Sequence, residues 1–122
     1  MNWSAIAAIL LALAVGLGAF GAHGLKARLD AYHLDIYKTA VLYHFLHALG
    51  MLIVATLPRT GTFPPESAEL VCWLLLAGIL IFSGSLYVLA ITGVSALGAI
   101  TPLGGLAFIL AWLLLAWKLV RR

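Results

Sequence analysis

Few charged side chains occur in this sequence: seven Lys and Arg and four Asp and Glu, 9% of 122 residues. A soluble domain carries about 25%, so the solvent must be one that does not reward charge. With 65% hydrophobic residues, that solvent is the lipid bilayer. The seven cations lie at the ends of apolar runs, which excludes the contiguous basic face of a nucleic-acid domain. Cysteine is nearly absent: Cys72 stands alone, which excludes an intrachain disulfide scaffold or a Cys-based zinc site and leaves it a packing role. No acid falls inside the apolar runs 39–58 and 70–117, so an ion-coupled carrier built on a buried carboxylate is not expected.

Long charge-free runs are what the chain does have. A helix needs about 20 apolar residues to cross a hydrocarbon core of about 30 Å. The runs are Met1–Leu25, Thr39–Pro58 and Leu70–Trp117. As one helix the last would reach roughly 72 Å, so it must fold back. The small, polar stretch Thr92-Gly93-Val94-Ser95 through Gly98 is the place, with Thr101-Pro102 as N-cap and first-turn proline of the next helix. The expected architecture is all-α: one domain, 1–122, an integral membrane bundle of four transmembrane helices at about 3–23, 38–58, 69–91 and 101–120.

Between the first two spans, Leu25, Leu29, Tyr32 and Ile36 recur at helical spacing opposite Lys26, Arg28, Asp30, His33 and Asp35. This is an amphipathic connector that either lies in the interface or prolongs the second span. The first span lacks a positive leader and is long for a signal peptide, so it is read as a retained helix. Four spans put both termini and Arg59 on one side. Arg59, Lys118, Arg121 and Arg122 against Lys26, Arg28 and Lys38 favour cytoplasmic termini by one cation.

On the first span, Ala5, Ala8, Ala12, Gly16, Ala19 and His23 share one narrow sector at 100° per residue, with Ala7, Ala14, Gly18 and Gly21 roughly opposite. The third span likewise sets Ser83 and Tyr87 on one side and Gly78, Ser85 and Thr92 on another. Small residues let backbones approach in lipid. So many smooth faces point to a homo-oligomer.

Ionisable groups are costly at membrane depth and are therefore functional candidates. On the second span Thr39, Tyr43, His47 and Gly50 share a sector, a polar stripe able to relay protons, bind a polar ligand or bond to a neighbouring helix. His44 and His47 are three apart, and His23 is the other plausible metal ligand; zinc would need more donors. No metal and no cofactor is assigned. Gly16-Leu17-Gly18-Ala19-Phe20-Gly21 matches GxGxxG, but it sits in a lipid-soluble helix rather than after a strand, so no dinucleotide site follows. Trp3, Trp73, Trp112, Trp117, Tyr32 and Tyr37 read mostly as interface anchors, with Trp112 deeper and one turn from Phe108.

Four segments, in order, carry a resemblance: Gly18-Ala19-Phe20-Gly21-Ala22-His23-Gly24-Leu25; Tyr37-Lys38-Thr39-Ala40-Val41-Leu42-Tyr43-His44 with His47-Ala48-Leu49; Phe82-Ser83-Gly84-Ser85-Leu86-Tyr87; and Thr101-Pro102-Leu103-Gly104-Gly105. With these the chain resembles the domain-of-unknown-function 423 family of small bacterial inner-membrane proteins, and is similar to the transmembrane protein 256 group. The resemblance implies a four-helix protein of the inner membrane and no assigned activity. It adds weight to His23, Tyr43, His47, Ser83, Ser85, Tyr87 and Thr101; together with Thr39 of the second-span stripe these form the candidate polar cluster, expected to converge on one pocket near a membrane surface.

The resulting expectation is a non-enzymatic, homo-oligomeric membrane protein whose His/Tyr/Ser cluster packs helices or binds a small ligand or membrane-protein partner. The alternatives are a small-solute or proton transporter or channel component, and a haem-, metal- or quinone-binding protein.

Overall fold

A computed structural model describes residues Met1–Arg121; Arg122, one of the cations weighed for orientation, lies outside the described residues. Four helices are long and apolar enough to span a membrane: α1 (Trp3–Leu25), α2 (Ala31–Thr60), α3 (Pro65–Thr92) and α4 (Ser95–Val120). No strand occurs among the described residues. The central pair, α2 and α3, is the more buried; α1 packs mainly on α2 and α4 mainly on α3.

The amphipathic stretch prolongs the second helix, one of the two placements that its pattern allows. The chain turns at Lys26–Asp30, and Asp30 caps α2 by accepting from the His33 N–H at 2.8 Å. The spans therefore begin or end several residues from the expected limits, most at α2, which starts at Ala31 rather than near 38. Leu25, Leu29 and Ile36 turn inward and pack with Tyr37, Ala90 and Tyr87 in a small core at this end; Tyr32 points out. The main core joins Trp3, Ala7 and Leu10 of α1 to Met51 and Val54 of α2, Val71 and Leu75 of α3, and Phe108 and Ala111 of α4.

The long third run does fold back after Thr92. Gly93 stops α3 in the left-handed region at φ 72°, a conformation that costs glycine little, and one short 3₁₀ segment, Ser95–Ala99, leads into the α-helical part of α4 at Thr101. Thr101 is not the N-cap. Its hydroxyl pairs with Ser85 Oγ at 2.6 Å, tying α4 to α3.

Two five-residue π turns interrupt the helices, Gly21–Leu25 at the end of α1 and Ile79–Ser83 within α3. In the second, the Gly84 N–H reaches the Ile79 carbonyl five residues back. A π turn inserts an extra residue and shifts every later side chain relative to an ideal α-helix.

Glycine sets how closely the helices cross. A Cβ on Gly104 would lie 2.3 Å from the Phe82 backbone N, one on Gly78 2.3 Å from the Phe108 ring, and one on Gly50 2.6 Å from Trp112. These contacts bring α2, α3 and α4 together around aromatic side chains.

Candidate functional site

The polar residues of α2 divide between two seams. Tyr37, Ala40 and His44 face α1 and α3. Tyr37, 1% exposed, donates its hydroxyl to the Leu17 carbonyl of α1; a Cβ on Gly21 would strike its ring at 2.4 Å. Tyr37 is thus a core residue rather than an interface anchor. Ser83 of α3 is fully buried and donates to the Ala40 carbonyl at 2.8 Å. His44, 3% exposed, lies with Nδ1 2.8 Å from the Tyr87 hydroxyl. Its Nε2 faces the Leu10 backbone of α1 outside hydrogen-bond geometry and has no partner. The tautomer consistent with this has Nε2 protonated toward that carbonyl and the Tyr87 hydroxyl donating to Nδ1.

The second seam faces α4. His47 donates Nδ1–H to the Tyr43 carbonyl at 2.8 Å, since a carbonyl oxygen can only accept. That fixes the tautomer and leaves Nε2 a free lone pair, and this atom is not sealed inside the bundle. The imidazole stacks on Phe108 at 3.6 Å between centroids and 15° between planes, with Tyr43 and Trp112 each 5.8 Å away. Phe82 of α3 completes the cluster, 4.5 Å from Tyr43. Among the described residues neither the Tyr43 hydroxyl nor the Trp112 indole N–H is hydrogen-bonded, and each residue is 37% exposed. Among the described residues these three polar groups have no partner, and they lie within helices apolar enough to cross a membrane, where an unpaired polar group costs free energy.

The eight residues expected to share one pocket are not gathered in one place. Tyr43 and His47 do stack, next to Gly50, as the stripe on α2 requires. Ser83 and Tyr87 instead meet Ala40 and His44, and Ser85 pairs with Thr101. Thr39 returns its hydroxyl to the Asp35 carbonyl of its own helix at 3.1 Å. His23 is exposed at the end of α1 and bonds to none of the others. The reason is rotational: His44 and His47, three residues apart on α2, look at different neighbours, and Ser83 with Tyr87 stands on the His44 side. As metal ligands His23, His44 and His47 are likewise not brought together; no group of three or more His, Cys, Asp or Glu able to hold a metal occurs among the described residues.

His44 is the residue whose structural importance the sequence reading missed. The signal was present: Tyr37, Ala40, His44, Ala48 and Met51 follow a 3-4-4-3 spacing, and all five are buried. Cys72 is buried, with Sγ 3.9 Å from the Met51 carbonyl. The small-residue faces part company too. Ala7, Ala14 and Gly21 are buried, whereas Ala5, Ala8, Ala12, Gly16 and Ala19 are exposed, and nothing lies within 4 Å of a Cβ built on Gly16.

Fold and site together define a small multi-pass membrane protein with a buried His–Tyr seam and a second, His–aromatic seam against α4. Residues 17–105 match the family described as "Protein of unknown function (DUF423)", and the chain belongs to that family. It is similar to the UPF0382 membrane protein YwdK of Bacillus subtilis, at 48% identity over 118 residues, 95% of this chain and 94% of that one. It is also similar to UPF0382 membrane proteins of Staphylococcus saprophyticus (47% over 103 residues, 84% and 83%) and Staphylococcus haemolyticus (44% over 110 residues, 90% and 88%). No solved structure matches the chain.

Proposed function

We propose that the protein is a non-enzymatic binding module of the bacterial inner membrane, with both termini cytoplasmic, which works as a homo-oligomer and engages a small ligand or partner helix at the His47 seam. The observation that carries this reading is the trio of unpartnered polar groups on Tyr43, His47 and Trp112 at hydrocarbon depth. Because His47 Nε2 is an acceptor, its partner must bring an O–H or N–H donor; the Tyr43 hydroxyl and Trp112 N–H supply donors in return. Homo-oligomerisation is supported by α1. Its second small-residue face, Ala5 to Ala19, is left exposed by the described residues and suits close backbone contact with another copy.

The test is native mass spectrometry of the protein extracted gently from its own membrane. A multiple of the 13.0 kDa chain, carrying an added mass that His47→Ala loses while the multiple persists, is the expected result. A bare monomer, or an added mass indifferent to His47→Ala, overturns the reading.

A further inference from the structure

Side chains are missing where α1 crosses α2. Gly18 and Gly21 carry none and Ala22 a single methyl, and α2 closes in until a Cβ on Gly18 would lie 3.4 Å from Val41 Cγ1 and one on Gly21 2.4 Å from the Tyr37 ring. Along the flank of this crossing the absent side chains leave an open groove of about 310 Å³, floored by Gly18, Gly21 and Ala22. Its other wall is one stripe of α2, Leu34, Lys38, Leu42 and Phe45, at i, i+4, i+8 and i+11, about 16 Å long. Tyr43, His47 and Trp112 do not border it, so it is separate from the His47 seam.

Charge enters this groove at one position. Leu42 and Phe45 lie inside the charge-free run that begins at Thr39, and Lys38 stands one residue before it. The Tyr37 hydroxyl, also in the wall, is spent on the Leu17 carbonyl. The Lys38 ammonium is not spent: the one ion pair among the described residues is His33 with Asp30. A lysine near the end of an apolar run lays its methylene stem along apolar surface and carries its charge to headgroup level. The groove is thus apolar at depth and cationic toward the membrane surface, the charge complement of an acyl chain with an anionic head. A neutral chain would leave Lys38 unpaired. A helix of a second copy is too thick to enter: about 10 Å across and 16 Å long, it fills roughly 1,300 Å³.

We propose that this groove seats one acyl chain of an anionic phospholipid of the surrounding bilayer, its phosphate paired with the Lys38 ammonium. A zwitterionic headgroup brings its own cation, which competes with Lys38 for the phosphate, so the anionic lipid is preferred. The groove is open along its side, where Ala22, Leu42 and Phe45 are exposed, so the second chain of the lipid stays in the bilayer while the first is held.

The full-length chain in detergent micelles is titrated with phosphatidylglycerol and with phosphatidylcholine of identical acyl chains, and bound lipids are counted by native mass spectrometry. Phosphatidylglycerol binds about fivefold more tightly, the worth of one basic side chain near an anionic membrane surface. Lys38→Gln removes that preference and leaves a lipid bound. Ala22→Phe, whose ring fills the groove, weakens both lipids about tenfold, the worth of about ten lost carbon contacts. A mass that Ala22→Phe removes is the lipid of this groove, distinct from one that His47→Ala removes. Lys38 is exposed, so Lys38→Gln keeps the test available if Ala22→Phe fails to fold. Equal binding of the two lipids to the unaltered chain, a preference that survives Lys38→Gln, or binding indifferent to a folded Ala22→Phe overturns the proposal. A lipid-free dimer that Ala22→Phe dissociates also overturns it and gives the groove to a second copy.

Discussion

Gly104→Ala and Gly105→Ala differ by one position and should differ sharply in outcome. At Gly104 the new methyl would lie 2.3 Å from Phe82 N and 2.7 Å from its Cα and Cβ. Backbone cannot swing aside, and carbon contacts are most favourable at about 3.5–4.0 Å, so α3 and α4 must part by about 1 Å. A gap of that size forfeits a quarter to a half of each contact across the crossing, and overpacking of this kind costs about 1–3 kcal/mol. At Gly105 the methyl would sit 3.8 Å from the Phe82 ring, an ordinary contact. Both variants gain about 0.5–1 kcal/mol of helix preference over glycine, which cancels in the comparison. The difference between them therefore isolates the crossing: about 1–3 kcal/mol, with Gly104→Ala the less stable. Reversible unfolding in mixed SDS micelles, followed by far-ultraviolet circular dichroism, measures it. Equal stabilities would refute the claim that this glycine sets the α3–α4 distance.

Two further outcomes follow from the hydrogen bonds. A double-mutant cycle with His44→Phe and Tyr87→Phe should give a coupling of about 0.6 kcal/mol, the average for hydrogen bonds within membranes, and at most about 1.7 kcal/mol; strict additivity in the same unfolding assay would remove the pair as a lock between α2 and α3. The second concerns Asp30, whose carboxyl is held below its usual value by hydrogen bonds from the His33 backbone N–H and ring. A lowered carboxyl stabilises the fold above its unfolded value of about 3.9 and loses that contribution as pH falls through the folded value. Exchange protection of the His33 amide should drop on acidification below about pH 4, and Asp30→Asn, which keeps the capping oxygen, should flatten the profile. An identical acid profile in Asp30→Asn would sink the assignment.

The four spans were legible because membrane insertion depends on length and apolarity, and both are properties of a contiguous segment. Gly93 as a turn and the paired small-residue faces of α1 were legible for the same local reasons. The site was only half legible. Tyr43, His47 and Gly50 fell on one stripe because they lie in uninterrupted α-helix, where 100° per residue holds. Ser83 and Tyr87 share one face of α3 as their spacing requires, but that face stands against Ala40 and His44 rather than Tyr43 and His47. Nor does periodicity along one helix say which helix stands opposite. It took the packed chain to turn Thr101 from a cap into a partner of Ser85, to bury Trp3 with an unpaired N–H, and to leave Ala5 through Ala19 bare. Sequence by itself determined how many helices cross and what each can offer on its faces; tertiary structure decided which faces meet, because that depends on helix rotation and on approach distances of a few ångströms that no single segment encodes.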